Sequence, residues 1–413
     1  MTEKRPIFSV FAVSRTGNRG AVSMLESAID HLTAAPHCGT VHVFTVYPKQ
    51  DRSAPPRPNV HLHNGAPFSL AFKLIPLCLL YRVVRALGVA TSPACWGTAM
   101  QALLESDLVI AAGGTTFSDA QLFKVVYNMA CLLPAIILRK RSMMYSQTIG
   151  PFRNPFNRLC ARFCLSRVSL VAPRGRGSFD CVEGLGIKNA VQLADSAFTI
   201  EVAQEAHETI TGKYNDLLAG KTVVGISINT IVQRKCEQRG IKHNAIWAEF
   251  ITYLQEKGYF VVMIPHSMRL DTRSRHNNDL VTVQDILRLL PSTENIHTVT
   301  EPYDCKELRV LVGLADYYVA CRFHSMISAI CTETPVAVFG WGYQKYQEVL
   351  ADFEIEEYGH DAAELSVHAL VTAFERIVAE AEQIKSRIRK NLPAVRASSM
   401  KNHLEAFRLA TTP

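Results

Sequence analysis

The segment ACRFHSMISAI places an arginine and a histidine two positions apart, Arg322 and His324, where a short apolar strand gives way to a helix. The first N–H groups of a helix lack intrahelical partners and lie at the positive end of its dipole, so such a turn attracts anions. A guanidinium forks onto a carboxylate or phosphate, and an imidazole titrates near neutral pH. Together they form an anion clamp with an acid beside it. The plainer alternative is that Arg322 pairs with a helix carboxylate and His324 only caps.

Other candidates also follow apolar strands. DLVIAAGGTTFSD ends on Gly113 and Gly114, a pair that lets backbone approach a ligand or simply makes a tight turn. It is not GxGxxG, and no acidic residue follows at the spacing for a ribose, which disfavours a nicotinamide cofactor. MMYSQTIGPF ends a strand on Gln147, an amide able to bond a hydroxyl, before Gly150–Pro151 turns the chain. YFVVMIPH delivers a second imidazole, His266, and SLVAPRGRGSFD delivers Arg174 with Arg176 two residues on. Asn18, Arg19 and Gly20 follow the first strand. Lys345 lies past PVAVFG in a Gly- and aromatic-rich loop able to close over a substrate. Each also has an ordinary reading as a loop, turn or surface residue.

HExxH, GxxxxGK[ST], GxSxG and EF-hand patterns are absent, and Asp271, Asp279 and Asp285 are scattered rather than arranged as DxD. No obligatory metal is expected.

The elements that must position these residues alternate. Strands are expected at 6–14, 40–48, 107–114, 143–150 and 170–174, with helices at 18–34, 119–138 and 155–167 between them. That order gives βαβ units and a parallel sheet covered by helices. A more polar stretch, 201–221, precedes a second series: strands at 222–229, 259–265, 316–322 and 335–340, helices at 281–290 and 325–332. Two Rossmann-like halves are the simplest α/β architecture. The C-terminal stretch 365–409 is helical in period, with a break expected near Pro393.

The chain has 413 residues, 48% hydrophobic and 20% charged, a profile of ordinary globular domains with little disorder. A formal charge of +7 suits an anionic small molecule or a membrane surface and is too small to argue for nucleic acid. The 11 cysteines include no CxxC pair, and several sit in apolar runs, which points to a reducing cytoplasm and no structural zinc. The first apolar run lacks the length and cleavage site of a signal peptide. The apolar stretches 66–90 and 122–138 are interrupted by Lys73, Pro76, Arg82 and Arg85 and by Lys124, Asn128 and Pro134, so neither spans a bilayer convincingly. The first, apolar with basic residues, fits a helix lying on an anionic membrane; a buried helix with flanking charges fits as well.

Taken in order, NRG, the glycine pair, SQTIGPF, an Arg with a downstream Ser, IPH, ND, and RxH followed by a strand and Lys345 resemble the polysaccharide pyruvyl transferase family, from about Asn18 to Lys345. SQTIGPF and ACRFHSMISAI with PVAVFGWGYQK are its specific parts. The resemblance implies a GT-B-like fold, two Rossmann-like domains with parallel sheets facing across a cleft. The domains would be 1–200 on the acceptor side and 221–380 on the donor side, with a helix over 381–413 packing back across the cleft.

It also implies transfer of the enolpyruvyl unit of phosphoenolpyruvate to a sugar, free or lipid-linked, giving a pyruvate ketal on a surface polysaccharide. Phosphoenolpyruvate is then a co-substrate and no cofactor is expected. His324 takes the acid position, Arg322 with Phe323 and Ser325 the donor position, and Arg174 a second anion contact. Family members usually carry an acidic residue straight after that arginine, where this chain has Gly175. A nucleotide-sugar glycosyltransferase or a non-catalytic sugar-binding relative would share the fold. The expected location is the cytoplasm, peripherally at the inner face of the membrane through residues 66–90.

Overall fold

The computed structural model describes residues 5–34, 38–119, 122–268, 277–342 and 344–412. The first sheet contains β1 (Ile7–Val13), β2 (Thr40–Thr45), β3 (Val60–Asn64), β4 (Leu108–Ala111), β5 (Ser142–Gln147) and β6 (Leu170–Pro173). The second contains β7 (Val223–Ser227), β8 (Phe260–Met263), β9 (Ile296–Thr298), β10 (Tyr317–Ala320), β11 (Val336–Gly340) and β12 (Gly359–Asp361). The central strands are runs of Val, Ile, Leu, Phe and Met buried on both faces, which is why they read as continuous apolar segments.

Among the described residues the strand pairings within the sheets are parallel, in the orders β3-β2-β1-β4-β5-β6 and β12-β11-β10-β7-β8-β9. Counted from its own first strand, each sheet has the same 3-2-1-4-5-6 order, the doubly wound Rossmann arrangement. The direction of winding reverses between β1 and β4 in one sheet and between β7 and β10 in the other. Ligands of such sheets bind beyond the carboxyl ends at that reversal. Gly113 and Gly114 follow β4, and Arg322 to Ser325 follow β10.

The chain divides into two compact units. One comprises Met1–Thr16, Met24–Thr199 and Ala397–Pro413, the other Gly17–Ser23 and Ile200–Arg396. In the first, Phe8, Val10, Ile110 and Tyr145 share a core with Ala406 and Phe407 from the last helix, and the rings of Phe8 and Phe407 meet edge to face at 5.6 Å. The same helix inserts His403, which hydrogen-bonds the Tyr145 hydroxyl at 2.5 Å and Thr199 at 2.9 Å.

The polar stretch 201–221 holds a helix, Gln204–Leu218, near the start of the second unit, which resumes at Ile200. Two readings of the sequence need correction. Pro393 does not break the C-terminal helix, which runs Ala381–Thr411 with that proline inside it. Lys345 lies in the first turn of a helix, Gln344–Ala351, rather than in a loop. The expected helix at 119–138 is described from Leu122 onward, Ala120 and Gln121 lying outside the described residues, as does Asp271.

Candidate functional site

The carboxyl edge of the second sheet gathers Asn229 and Thr230 after β7, His266 and Ser267 after β8, and Arg322 to Ser325 after β10. Arg322 is the N-cap residue of helix Phe323–Cys331 and is buried. Its Nε donates to Asp279 Oδ2 at 2.9 Å, and its Nη2 donates to Asp279 Oδ1 and, at 3.0 Å, to Asn277 Oδ1. This is the carboxylate pairing weighed above, with two-point fork geometry. Asp279, fully buried, also accepts the N–H groups of Ser267 at 2.9 Å and Thr230 at 3.1 Å. One carboxylate therefore ties the loops after β7, β8 and β10 into one surface. Its negative charge lies at the start of helix Thr230–Glu237, the favourable end of that dipole.

His266 is buried, and burial pushes its imidazole down to about 4. Its Nδ1–H donates to the Ile264 carbonyl at 3.0 Å, and since a carbonyl only accepts, Nε2 carries the lone pair of a neutral ring. Nε2 has no hydrogen-bond partner among the described residues. His266 is thus a neutral ring near pH 7 whose Nε2 can accept a hydrogen bond.

The turn Asn18–Gly20 touches both histidine loops. Asn18 bridges Ser267, the Arg19 N–H donates to the His266 carbonyl at 3.0 Å, and the Asn18 side chain accepts the Gly20 N–H at 3.0 Å. A methyl group on Gly20 would stand 2.3 Å from His324 Nδ1, so only glycine admits the ring there. Arg19 donates to the Pro302 carbonyl at 3.0 Å, and burial lowers its pKa despite the acidic groups nearby.

Phe323 packs edge to face with His324 at 5.2 Å and with Tyr346 at 5.5 Å. Lys345 Nζ lies 5.5 Å from the Phe323 ring, a cation over an aromatic face. Ser325 is fully buried, donating to the Arg322 carbonyl at 2.8 Å and bonding Ser227 at 2.7 Å. It anchors the helix start to β7.

At the edge of the first sheet, Arg174 is buried, donating from Nε to Thr148 Oγ1 at 2.9 Å and from Nη1 to Asp195. A Cβ on Gly114 would be 3.8 Å from Arg174 Nη2, so the glycine pair and the arginine share one surface, with Gly113 against Ala12 and Thr116. Gln147 is fully buried: it accepts from Thr116 at 2.7 Å and donates to the Ala111 carbonyl. It braces the glycine loop, and its amide is engaged at both ends by the protein. Gly175 has φ +82° and ψ 152°, a region essentially restricted to glycine. The carboxylate beside Arg174 comes from Asp195, 21 residues on, and not from the next position.

The sequence gives Asp279 no role beyond the ND pair and Thr148 none beyond its place in SQTIGPF, and it does not single out Asp195 or Asn277. The ND pair was the one available signal. Asp195 has none, because no fixed spacing links it to Arg174. Among the described residues, no group of three or more His, Cys, Asp or Glu is placed to hold a metal.

Two doubly wound units, each with charged residues at its winding reversal, define a GT-B-like α/β protein. The chain belongs to the polysaccharide pyruvyl transferase family, whose model matches residues 18–343. It is 22% identical over 294 residues to the amylovoran biosynthesis protein AmsJ of Erwinia amylovora, covering 69% of each chain. In fold it is similar to the UDP-GlcNAc 2-epimerase of Methanocaldococcus jannaschii, with TM-score 0.55, 12% identity and coverage of 89% of this chain and 91% of that one. It is also similar to the trehalose 6-phosphate synthase of Burkholderia multivorans, with TM-score 0.56, 12% identity and coverage of 98% of both chains.

Proposed function

We propose that this transferase moves the enolpyruvyl unit of phosphoenolpyruvate onto two hydroxyls of a sugar in a surface polysaccharide or its lipid-linked precursor, forming a pyruvate ketal. The observation that carries this reading is the turn at Arg322–His324, an imidazole at a helix start with its ring admitted by Gly20 and its backbone held by the Arg322–Asp279 pair.

His324 protonates the methylene carbon of phosphoenolpyruvate, making C2 electron-poor. A sugar hydroxyl attacks C2; bonded to that electron-poor carbon it is strongly acidic, and its proton passes to neutral His266 and on to the departing phosphate. Phosphate departs with the C–O electron pair, a second hydroxyl adds to C2 and returns its proton to His324, and the ketal and inorganic phosphate result. Helix N–H groups at Phe323 and His324 bind the anionic donor, with Lys345 nearby. Arg322 acts mainly by holding that turn, since its fork is engaged by Asp279. Arg174 is the anion contact of the first unit. No cofactor or metal enters this scheme.

The cytoplasm is the proposed compartment, where phosphoenolpyruvate is made; eleven free cysteines agree with a reducing one.

The test is a thermal-shift titration with phosphoenolpyruvate against pyruvate, phosphate and a nucleotide sugar, followed by mass spectrometry of a sugar acceptor for the added pyruvate ketal. Stabilisation by phosphoenolpyruvate alone, with the expected mass gain, is the predicted result. Stabilisation by a nucleotide sugar instead overturns it in favour of glycosyl transfer, and no response to any donor favours a non-catalytic relative.

A further inference from the structure

The apolar stretch at residues 66–90 folds as an unbroken helical run, Pro67–Ala86, with a π-helical turn at Leu70–Leu74 and Pro76 accommodated near the start of the following α-helical part. It is long and apolar enough to cross a bilayer by length and composition. One face is committed to the protein: Leu70, Leu74 and Cys78 are buried with Phe11, Phe44 and Val109. That anchoring makes it a surface helix.

The opposite face is also apolar, which an ordinary surface helix is not. Phe68 and Phe72 are 79% and 73% exposed, and Leu79, Val83 and Leu87 continue the stripe. The neighbouring helices extend it. Leu122–Leu138 packs against Ile75–Ala86 and exposes Phe123 and Val126, while Pro155–Leu165, packed on Leu122–Leu138, exposes Phe156 and Leu159. Exposed apolar surface spread over three adjoining helices marks an interaction site.

Charge identifies the occupant. Residues 66–90, 122–141 and 150–167 contain no aspartate or glutamate, yet they carry Lys73, Arg82, Arg85, Lys124, Arg158 and Arg162 among their cations. Asp119, which accepts N–H groups from Asn154 and Arg153, is an acidic neighbour. A second copy docking through the same face would set these cations against their own kind. An anionic lipid surface complements both features, since apolar side chains enter the acyl boundary while Lys and Arg meet the headgroups.

We propose that this three-helix face is a peripheral docking surface for an anionic membrane, lying flat on it with Phe68 and Phe72 inserted. The inference stands whichever donor the protein uses.

The experiment is co-sedimentation of the full chain with vesicles of phosphatidylcholine alone or mixed with phosphatidylglycerol, at low and high salt. The wild type is compared with Phe72→Asp and Val83→Asp, whose melting curves report folding. Binding is expected to mixed vesicles, to weaken at high salt, and to fall about tenfold or more in each variant. Equal binding to both vesicle types, or binding retained in both folded variants, overturns the proposal. So does failure to bind alongside a dimer, seen by sedimentation velocity, that the same substitutions dissolve.

Discussion

Gly20 lies directly against the imidazole of His324, so close that one added methyl group would stand 2.3 Å from Nδ1. The first helical turn of the chain thereby limits where the proposed acid can sit. Gly20→Ala keeps an ordinary helical backbone but must displace that ring. Turnover of phosphoenolpyruvate is expected to fall about 100-fold, the scale of a misplaced reacting group, with a modest loss of stability. Steady-state kinetics read beside a melting curve check this, and unchanged kcat would contradict it.

His324→Ala is expected to lower kcat by about 10² to 10⁴-fold with little change in melting temperature, because the ring is the proposed proton donor and only half-buried. His266→Asn should instead impair the step that accepts a proton. Rate profiles against pH separate the two: loss of the limb that falls as pH rises marks the acid.

Asp279 is the deepest dependency of the site. Asp279→Asn leaves the buried Arg322 guanidinium without its counter-charge and is expected to destabilise the protein by about 3–5 kcal/mol in chemical denaturation. Glu382→Gln, at an exposed pair with Lys385, should leave the midpoint where it was. Equal effects of the two would show that the buried pair contributes nothing special.

At position 175, an acidic residue next to Arg174 should harm rather than help. Gly175→Asp forces a side chain into φ +82° and ψ 152° and is expected to cost about 1–3 kcal/mol, with no gain in donor affinity, because Asp195 already faces Arg174. Denaturation and phosphoenolpyruvate titration of the variant decide the matter.

Acid should loosen the fold in a defined window. Burial pushes His243 and His266 down to about 4, and His403 well below its ordinary value. The unfolded chain therefore takes up these protons first as pH falls. The stability each neutral ring contributes is full above about pH 6.5 and declines toward about pH 4, by at most about 1.4 kcal/mol per unit for each. Urea midpoints at about pH 7.5 and about pH 5 test it, and an unmoved midpoint would show that these rings are not held neutral.

The alternation of strands and helices, and the anion-attracting turn at Arg322–His324, follow from periodicity and helix-end chemistry, which act over a few residues and can be read along the chain. The lengths of the elements depended on more. A proline that reads as a break sits comfortably inside the helix Ala381–Thr411. The partners of the charged residues lay beyond local reach. Arg322 meets Asp279 across 43 residues because strand order decides which loops share a sheet edge, and Gly20 meets His324 because the segment Gly17–Ser23 belongs to the second compact unit although it follows a strand of the first sheet. The same packing sealed Gln147 and Ser325 inside while leaving Phe68 and Phe72 outside. Apolarity says that a side chain gains by leaving water, but only the tertiary structure shows which ones the protein itself has covered.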